Sequence, residues 1–172
     1  MPKVGRKSIG CAAGVLIVIL VVVGVIVVRS IQLSQAPTQP IAFSHIVHAQ
    51  ANRIDCLFCH RDAATGQAAT VPAVEQCMFC HSVVAVGRPE IQKLRSAWQR
   101  QQPINWVRVH RLPDLAHFYH YPHIQAGFDC SVCHGQVQQM AQVRQVRALN
   151  MGDCVGCHRQ YNAVAECGKC HY

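Results

Sequence analysis

One five-residue pattern recurs in this sequence: a cysteine, two other residues, a second cysteine and then a histidine. Two thiols three positions apart can form thioether bonds to the two vinyl groups of one haem, and the following histidine can bind the iron from one side. We number the copies first to fifth: residues 56–60, 77–81, 130–134, 154–158 and 167–171. The motifs therefore predict five haem c groups.

The motifs supply two sets of predicted ligands. The cysteines predicted to hold the haems are Cys56, Cys59, Cys77, Cys80, Cys130, Cys133, Cys154, Cys157, Cys167 and Cys170. The predicted proximal iron ligands are His60, His81, His134, His158 and His171. Zinc knuckles and thioredoxin-like redox pairs also use paired cysteines, but neither explains a histidine after every second cysteine. We therefore interpret the pattern as haem attachment.

Five irons also need five ligands on the opposite, distal side, and six histidines lie outside the motifs. Four of them belong to a repeated frame, Phe-x-His-x-x-His, which precedes the first and third motifs. Histidines three apart on a helical turn cannot bind one iron, but they can reach two neighbouring haems. We predict that the first histidine of each frame binds the haem of the following motif, and that the second binds another haem. The pairs are His45 and His48 in the first frame, residues 43–48, and His120 and His123 in the second frame, residues 118–123.

The fifth distal ligand is less clearly marked. His110 is our prediction, because it lies in the long interval between the second and third motifs. His117 is then surplus, and we interpret it as an ordinary exposed or hydrogen-bonded histidine. Met140, Met151 or His117 remain alternatives, and a His/Met haem would have a higher reduction potential than a bis-His one. If every iron has two protein ligands, no position remains for a small substrate, which favours electron transfer.

The intervals between motifs predict a mostly irregular chain with short α-helices. Only eight residues separate the fourth motif from the fifth, which leaves room for no more than a turn. A helix is predicted over 89–102, with Pro89 in its first turn and Ile91, Leu94 and Trp98 along one face. So small a chain needs the apolar surface of the haems as its core. The expected architecture resembles the haem packing of class III and c7 cytochromes.

A transmembrane helix is predicted near the N-terminus. Residues 9–28 carry no charge and would extend about 30 Å as a helix, the thickness of a hydrocarbon core. Lys3, Arg6 and Lys7 precede this segment, and only Arg29 follows closely, so a cytoplasmic N-terminus is expected. The alternative is a cleaved signal peptide, since residues 34–36 loosely fit a cleavage site.

The predicted domains follow from this topology. Residues 1–8 would be a cytoplasmic N-terminus, 9–28 a transmembrane helix, 29–40 a linker and 41–172 a haem domain on the periplasmic side. The formal charge of +8 does not indicate a nucleic-acid partner, because five haems would add about ten propionates. Arginines near a motif or a predicted ligand are candidates to bind those propionates: Arg53, Arg61, Arg108, Arg111 and Arg159.

The segments around the motifs resemble the pentahaem cytochrome subunit of bacterial alternative complex III. The resemblance covers nearly all of the chain after the linker, and it includes the connecting segments as well as the motifs. It is carried by VPAVEQCMFCH at 71–81, PINWVRVHRLPD at 103–114 and LNMGDC at 149–154. One departure is His117, which stands where the family usually has an aromatic residue.

This resemblance implies a role inside a larger assembly rather than independent catalysis. It implies an electron-carrier subunit of a menaquinol-oxidising membrane complex that acts in respiration or photosynthesis. The implied neighbours are an iron–sulfur subunit related to molybdopterin oxidoreductases, polytopic quinol-binding subunits and a monohaem cytochrome c, with a soluble cytochrome c or blue copper protein as the acceptor. The alternative is a stand-alone, membrane-anchored multihaem quinol dehydrogenase that feeds a periplasmic reductase.

Overall fold

The chain divides into two compact units, one ending at Gln35 and the other extending from Ala36 to Tyr172. The structure is a computed structural model that describes the backbone of residues 6–172 and the side chains of residues 14–28 and 35–172. Most of the predicted cytoplasmic segment, residues 1–8, lies outside this description. The predicted ligands all lie in the second unit.

The first unit contains a helix, α1 (Arg6–Ser34), that corrects the predicted topology. Its described side chains, 14–28, are Gly, Val, Leu and Ile, and they are exposed. Among the described residues, no helix is both long and apolar enough to cross a membrane. The predicted transmembrane helix over 9–28 is therefore wrong, as is the single-pass membrane location derived from it.

The second unit is built from short helices joined by irregular segments. The α-helices are α2 (Cys56–Cys59), α3 (Val74–His81), α4 (Pro89–Gln99), α5 (His120–Gln125), α6 (Ser131–His134) and α7 (Met151–Gln160). A π-helical turn and three 3₁₀ turns lie between or beside them, at Ile46–Ala51, Arg61–Ala64, Val137–Gln139 and Cys167–Lys169. Each motif thus coincides with a helical turn or helix.

The motif turns are closed by a backbone hydrogen bond that spans the motif. In the first, third and fifth motifs, the histidine N–H donates to the carbonyl of the first cysteine at 2.8, 3.0 and 3.0 Å. Local signals start the turns. The Asp55 carboxylate accepts from the Leu57 N–H at the start of α2, and the Asn150 side chain accepts from the Asp153 N–H at the start of α7.

The predicted helix over 89–102 is present as α4, although it ends at Gln99. Gln101 has a φ of 52°, a left-handed conformation that a continuing α-helix does not accommodate. The helix packs against α3. Leu94 and Ala97 are its buried side chains, whereas Trp98 is 43% exposed. The apolar face is therefore centred closer to Ala97 than predicted.

The polypeptide of the second unit buries very little apolar surface by itself. Its buried hydrophobic side chains are those of Ile41, Ala63, Leu94 and Ala97. A domain of this length normally buries a much larger apolar core. Large apolar side chains within the motifs, such as Phe58, Phe79 and Val132, are instead exposed. The fold therefore needs apolar partners other than its own side chains.

Candidate haem-binding sites

The two distal frames have the same local geometry. In the first frame, the ring of Phe43 stacks on His48 with centroids 4.2 Å apart and meets His45 edge-on at 4.9 Å. In the second frame, Phe118 lies 4.7 Å from His123 and meets His120 edge-on at 4.8 Å. One phenylalanine thus positions two imidazoles that point in different directions.

The second histidine of each frame is oriented by its own backbone. His48 Nδ1 lies 2.8 Å from the Ser44 carbonyl oxygen, and His123 Nδ1 lies 2.8 Å from that of Tyr119. A carbonyl oxygen can only accept, so in both residues Nδ1 carries the proton. The lone pair of Nε2 then remains available to a metal.

The motif histidines are oriented in the same way. For four of the five, Nδ1 hydrogen-bonds a backbone carbonyl: His60 to Thr70 at 2.6 Å, His81 to Val84 at 3.1 Å, His171 to Leu115 at 2.7 Å, and His158 to Val164. This partner fixes the ring orientation and the tautomer, as is usual for histidines that bind metals. The fifth motif histidine, His134, is the exception.

Frame and motif histidines face each other in pairs. The ring centroids are 6.0 Å apart for His48 and His81, 6.4 Å for His120 and His134, and 5.9 Å for His123 and His158. Two imidazoles on opposite sides of one metal have centroids about 6 Å apart, because each nitrogen lies about 2 Å from the metal. The three separations match that arrangement.

His45 lies near the first motif and is held in its neutral form. Burial, followed by the proximity of His60 and His48, lowers the pKa of His45 to about 4. Its Nδ1 is buried and has no hydrogen-bond partner in the described part of the chain. A neutral imidazole is the form that can bind iron.

The two remaining histidines do not face the fifth motif. His110 lies against His134, with ring centroids 4.4 Å apart and the planes at 88°. The ring of His117 stacks on Tyr172 at 4.2 Å, and its backbone N–H donates to the Cys170 carbonyl at 2.8 Å. His117 is therefore close to the fifth motif, but its ring is engaged by an aromatic side chain.

The two candidate methionines differ in exposure. Met151 begins α7 and is 71% exposed. Met140 is half-buried, and its Cε would be 3.5 Å from a Cβ built on Gly135. Met140 therefore lies beside the third motif, whereas the structure holds Met151 at the surface.

The ten motif cysteines form no disulfides, so their sulfur atoms are available for thioether bonds. Burial raises the pKa of five of these thiols, those of Cys59, Cys77, Cys130, Cys133 and Cys154. These groups are therefore protonated at neutral pH, and attachment consists of adding such an S–H across a haem vinyl group.

Hydrogen bonds connect neighbouring motifs. Gln76 precedes the second motif, and its amide donates to the Phe58 carbonyl within the first motif while accepting from Arg61 at 2.6 Å. Arg147 donates to the Val132 carbonyl in the third motif at 3.3 Å and to the Asp153 carboxylate before the fourth motif at 2.7 Å. The spacing between these motifs is thus set by side-chain bridges.

Arg147 is not among the arginines predicted from the sequence, which lie near a motif or a predicted ligand. Asp153 and a hydrogen bond to it raise the pKa of the Arg147 guanidinium. The signal in the sequence was Asp153, directly before the fourth motif. A carboxylate that is shielded from water requires a cationic partner. Of the arginines that were predicted, Arg61 binds Gln76 and Arg111 pairs with Asp114 at the surface.

The residues fit covalently bound haem. Each motif offers two thiols and an imidazole, most of the imidazoles have Nδ1 engaged, and three face a second imidazole at the separation of two axial ligands. The exposed apolar side chains of the motifs provide surface for a macrocycle. This donor set differs from a zinc site, in which sulfur and nitrogen ligands converge on one ion.

Two comparisons with known proteins agree with this donor set. Residues 25–114, slightly more than half of the chain, match the class III cytochrome c family. The chain is also similar to the menaquinone reductase, multiheme cytochrome c subunit, of Nitratidesulfovibrio vulgaris (strain Hildenborough). The two sequences are 27% identical, and the similarity covers 77% of this chain and 67% of that protein.

Proposed function

The chain belongs to the class III cytochrome c family, and we propose that it relays electrons through five haem c groups as a subunit of a menaquinone-linked oxidoreductase. The bound haem supplies a reversible one-electron change at iron. The two cysteines of each motif would hold a haem by thioether bonds, and the carbonyl partners of Nδ1 would orient the histidines that bind it. Its part in the complex is that of an electron carrier.

The observation that carries this proposal is the pairing of frame and motif histidines about 6 Å apart. We assign His45 and His60 to the first haem, His48 and His81 to the second, His120 and His134 to the third, and His123 and His158 to the fourth. His171 is the proposed proximal ligand of the fifth. The four irons that are assigned two protein ligands would exchange electrons without binding a substrate, which is what a relay requires.

Two similarities support the quinone-linked part of the proposal. The relative from N. vulgaris is named as a subunit of a menaquinone reductase. The segments 71–81, 103–114 and 149–154 resemble the pentahaem subunit of alternative complex III. We therefore propose a complex of that type, with an iron–sulfur subunit and quinol-binding subunits upstream, and a monohaem cytochrome c or a soluble carrier downstream.

The test is to purify the full chain from native membranes under mild conditions with an affinity tag and to identify the proteins that accompany it. The haem number of the purified chain is measured by mass spectrometry, and both menaquinol oxidation and menaquinone reduction are assayed. We expect five haems, an iron–sulfur subunit, quinol-binding subunits and menaquinol oxidation. A tagged C56A/C59A variant is the matched control, and it is expected to lose one haem.

Other results would change the proposal in specific ways. Four haems would contradict the assignment of one of the motifs. Net reduction of menaquinone would reverse the direction of electron flow and place the chain with its relative. Recovery without any quinone-reactive subunit, or with a single reductase, would contradict membership of such a complex while leaving the haem assignments intact.

A further inference from the structure

His134 is the one motif histidine whose Nδ1 does not meet a backbone carbonyl oxygen. Its Nδ1 lies 3.4 Å from Nε2 of His110. The two rings are nearly perpendicular, at 88°, with centroids 4.4 Å apart. His134 is also parallel to His120 within 10°, with the ring centroids 6.4 Å apart. His120 is thus placed to bind the same metal as His134, whereas His110 is placed to hydrogen-bond to it.

The backbone after the third motif explains why no carbonyl takes this place. His81, His158 and His60 each use a carbonyl 3, 6 or 10 residues further along the chain. After His134, the chain turns at Gly135 with φ of 70° and ψ of −167°, a conformation that is essentially restricted to glycine. The chain then passes so close that a Cβ on Gly135 would be 2.8 Å from Val146.

His110 is brought to this position by a separate anchor. Gln39 forms two hydrogen bonds with the backbone of Val107: its amide donates to the carbonyl at 2.9 Å, and its oxygen accepts from the N–H at 2.8 Å. Trp106 contacts Phe43 of the first frame edge-on at 6.3 Å. The segment that carries His110 is therefore held against residues 39–43, and His110 extends from it to the third motif.

We propose that His110 is a positioning residue for the third haem, in which its Nε2 accepts the proton of His134 Nδ1. This inference rests on the proposed role of His134 as an iron ligand. An acceptor at Nδ1 increases the basicity of the nitrogen that faces the iron, which favours ferric over ferrous iron and lowers the reduction potential. The acceptor beside His134 is an imidazole nitrogen, which is more basic than a carbonyl oxygen, so the third haem would receive a chemically different partner from the others.

The test is a redox titration of the holoprotein, followed by visible and EPR spectroscopy, for the variants H110F and H110Q. Phenylalanine keeps the bulk of the ring but cannot accept, whereas the glutamine amide oxygen can. H110F is expected to shift the ferric/ferrous equilibrium of one haem about tenfold toward ferrous iron. This shift raises the reduction potential of that haem by about 59 mV for one electron. H110Q is expected to return that potential toward the wild-type value. H117F, at the histidine stacked on Tyr172, is the matched control with no expected shift.

Each other outcome overturns the inference. A high-spin haem in H110F would identify His110 as an iron ligand. Unchanged potentials in H110F would show that the contact has no influence on the haem. If H110F fails to fold, H110Q decides: it must keep every haem low-spin with only a minor shift. None of these readouts depends on the quinone or on the partner subunits, so failure here is distinguishable from failure of the proposed complex.

Discussion

Two regions of the molecule, residues 43–81 and residues 118–158, are versions of the same arrangement. We call them the first repeat and the second repeat. Each contains a Phe-x-His-x-x-His frame followed by two motifs. In each, the second frame histidine faces the second motif of the repeat, at 6.0 Å in the first and 5.9 Å in the second. The histidines that would contact iron thus have nearly the same spacing in both repeats.

The repeats differ in what surrounds these histidines. In the first repeat, His45 Nδ1 has no hydrogen-bond partner among the described residues, whereas its counterpart His120 hydrogen-bonds the Gln67 carbonyl at 2.8 Å. His60 meets the Thr70 carbonyl, whereas its counterpart His134 meets His110. Equivalent histidines in the two repeats therefore receive different hydrogen bonds. Residues outside the motifs could thus adjust the reduction potential of a bound haem, while the attachment residues are the same in both repeats.

The largest expected effect is the loss of the fold when haem attachment is prevented. Expression in cells that lack the c-type haem attachment machinery should give a largely unfolded second unit, because only four of its apolar side chains are buried. Far-UV circular dichroism and limited proteolysis would measure this. Retention of the native helix content and protease resistance would mean that the polypeptide is stable by itself.

The second prediction tests whether the repeats are equivalent at their shared positions. H48A and H123A should each convert one low-spin haem to a high-spin one, because each would remove one of two axial imidazoles. EPR spectroscopy of the oxidised holoproteins measures the number of haems affected. H117A is the control and should retain the wild-type spectrum. A high-spin signal in only one of the two ligand variants would show that the repeats bind haem differently.

These paired histidines show how far the sequence could predict the site. The frame spacing predicted that the two histidines of a frame diverge, because that follows from helical geometry alone. The partner of the second histidine could not be named, because it depends on how separate turns pack. His110 was predicted as the fifth distal ligand from its position between motifs, without a haem being named for it. The structure places its ring against His134, in a segment that Gln39 anchors.

The fold was predictable to a similar extent. Short intervals between motifs predicted short helices, because a few residues cannot form longer ones. The end of α4 at Gln99 depended on a left-handed residue, Gln101, that no sequence signal marked. The N-terminal prediction was wrong, because no helix among the described residues is both long and apolar enough to cross a membrane.

The third prediction concerns Gly135, the residue at which the chain turns directly after the proximal histidine of the third motif. G135A should destabilise the holoprotein by about 2–4 kcal/mol, because alanine is strained at this φ and ψ and its Cβ would clash with Val146. G127A is the matched control: its φ is 85°, but a Cβ there has no neighbour within 4 Å. It should cost only the backbone strain, about 1–2 kcal/mol. Chemical denaturation of both variants measures the difference, and equal losses would rule out the Val146 clash.

The smallest expected effect concerns the bridges between the two motifs of each repeat. Arg147 joins charged and backbone acceptors, and its side chain is 29% exposed, so R147A should cost about 1 kcal/mol after allowance for solvent screening. The bridge of the first repeat is a neutral, half-buried glutamine, and Q76A should cost about 0.5 kcal/mol. Denaturant midpoints of the two holoproteins measure this order.

Salt separates the two bridges further. Only the Arg147–Asp153 bridge joins opposite charges, so its contribution should decrease as the ionic strength rises, while that of Gln76 stays constant. R147K is a matched variant that keeps the charge but removes the forked geometry that reaches both Val132 and Asp153. If R147K is as stable as the wild type, charge alone accounts for the bridge. If it is as unstable as R147A, the simultaneous contact with both motifs accounts for it.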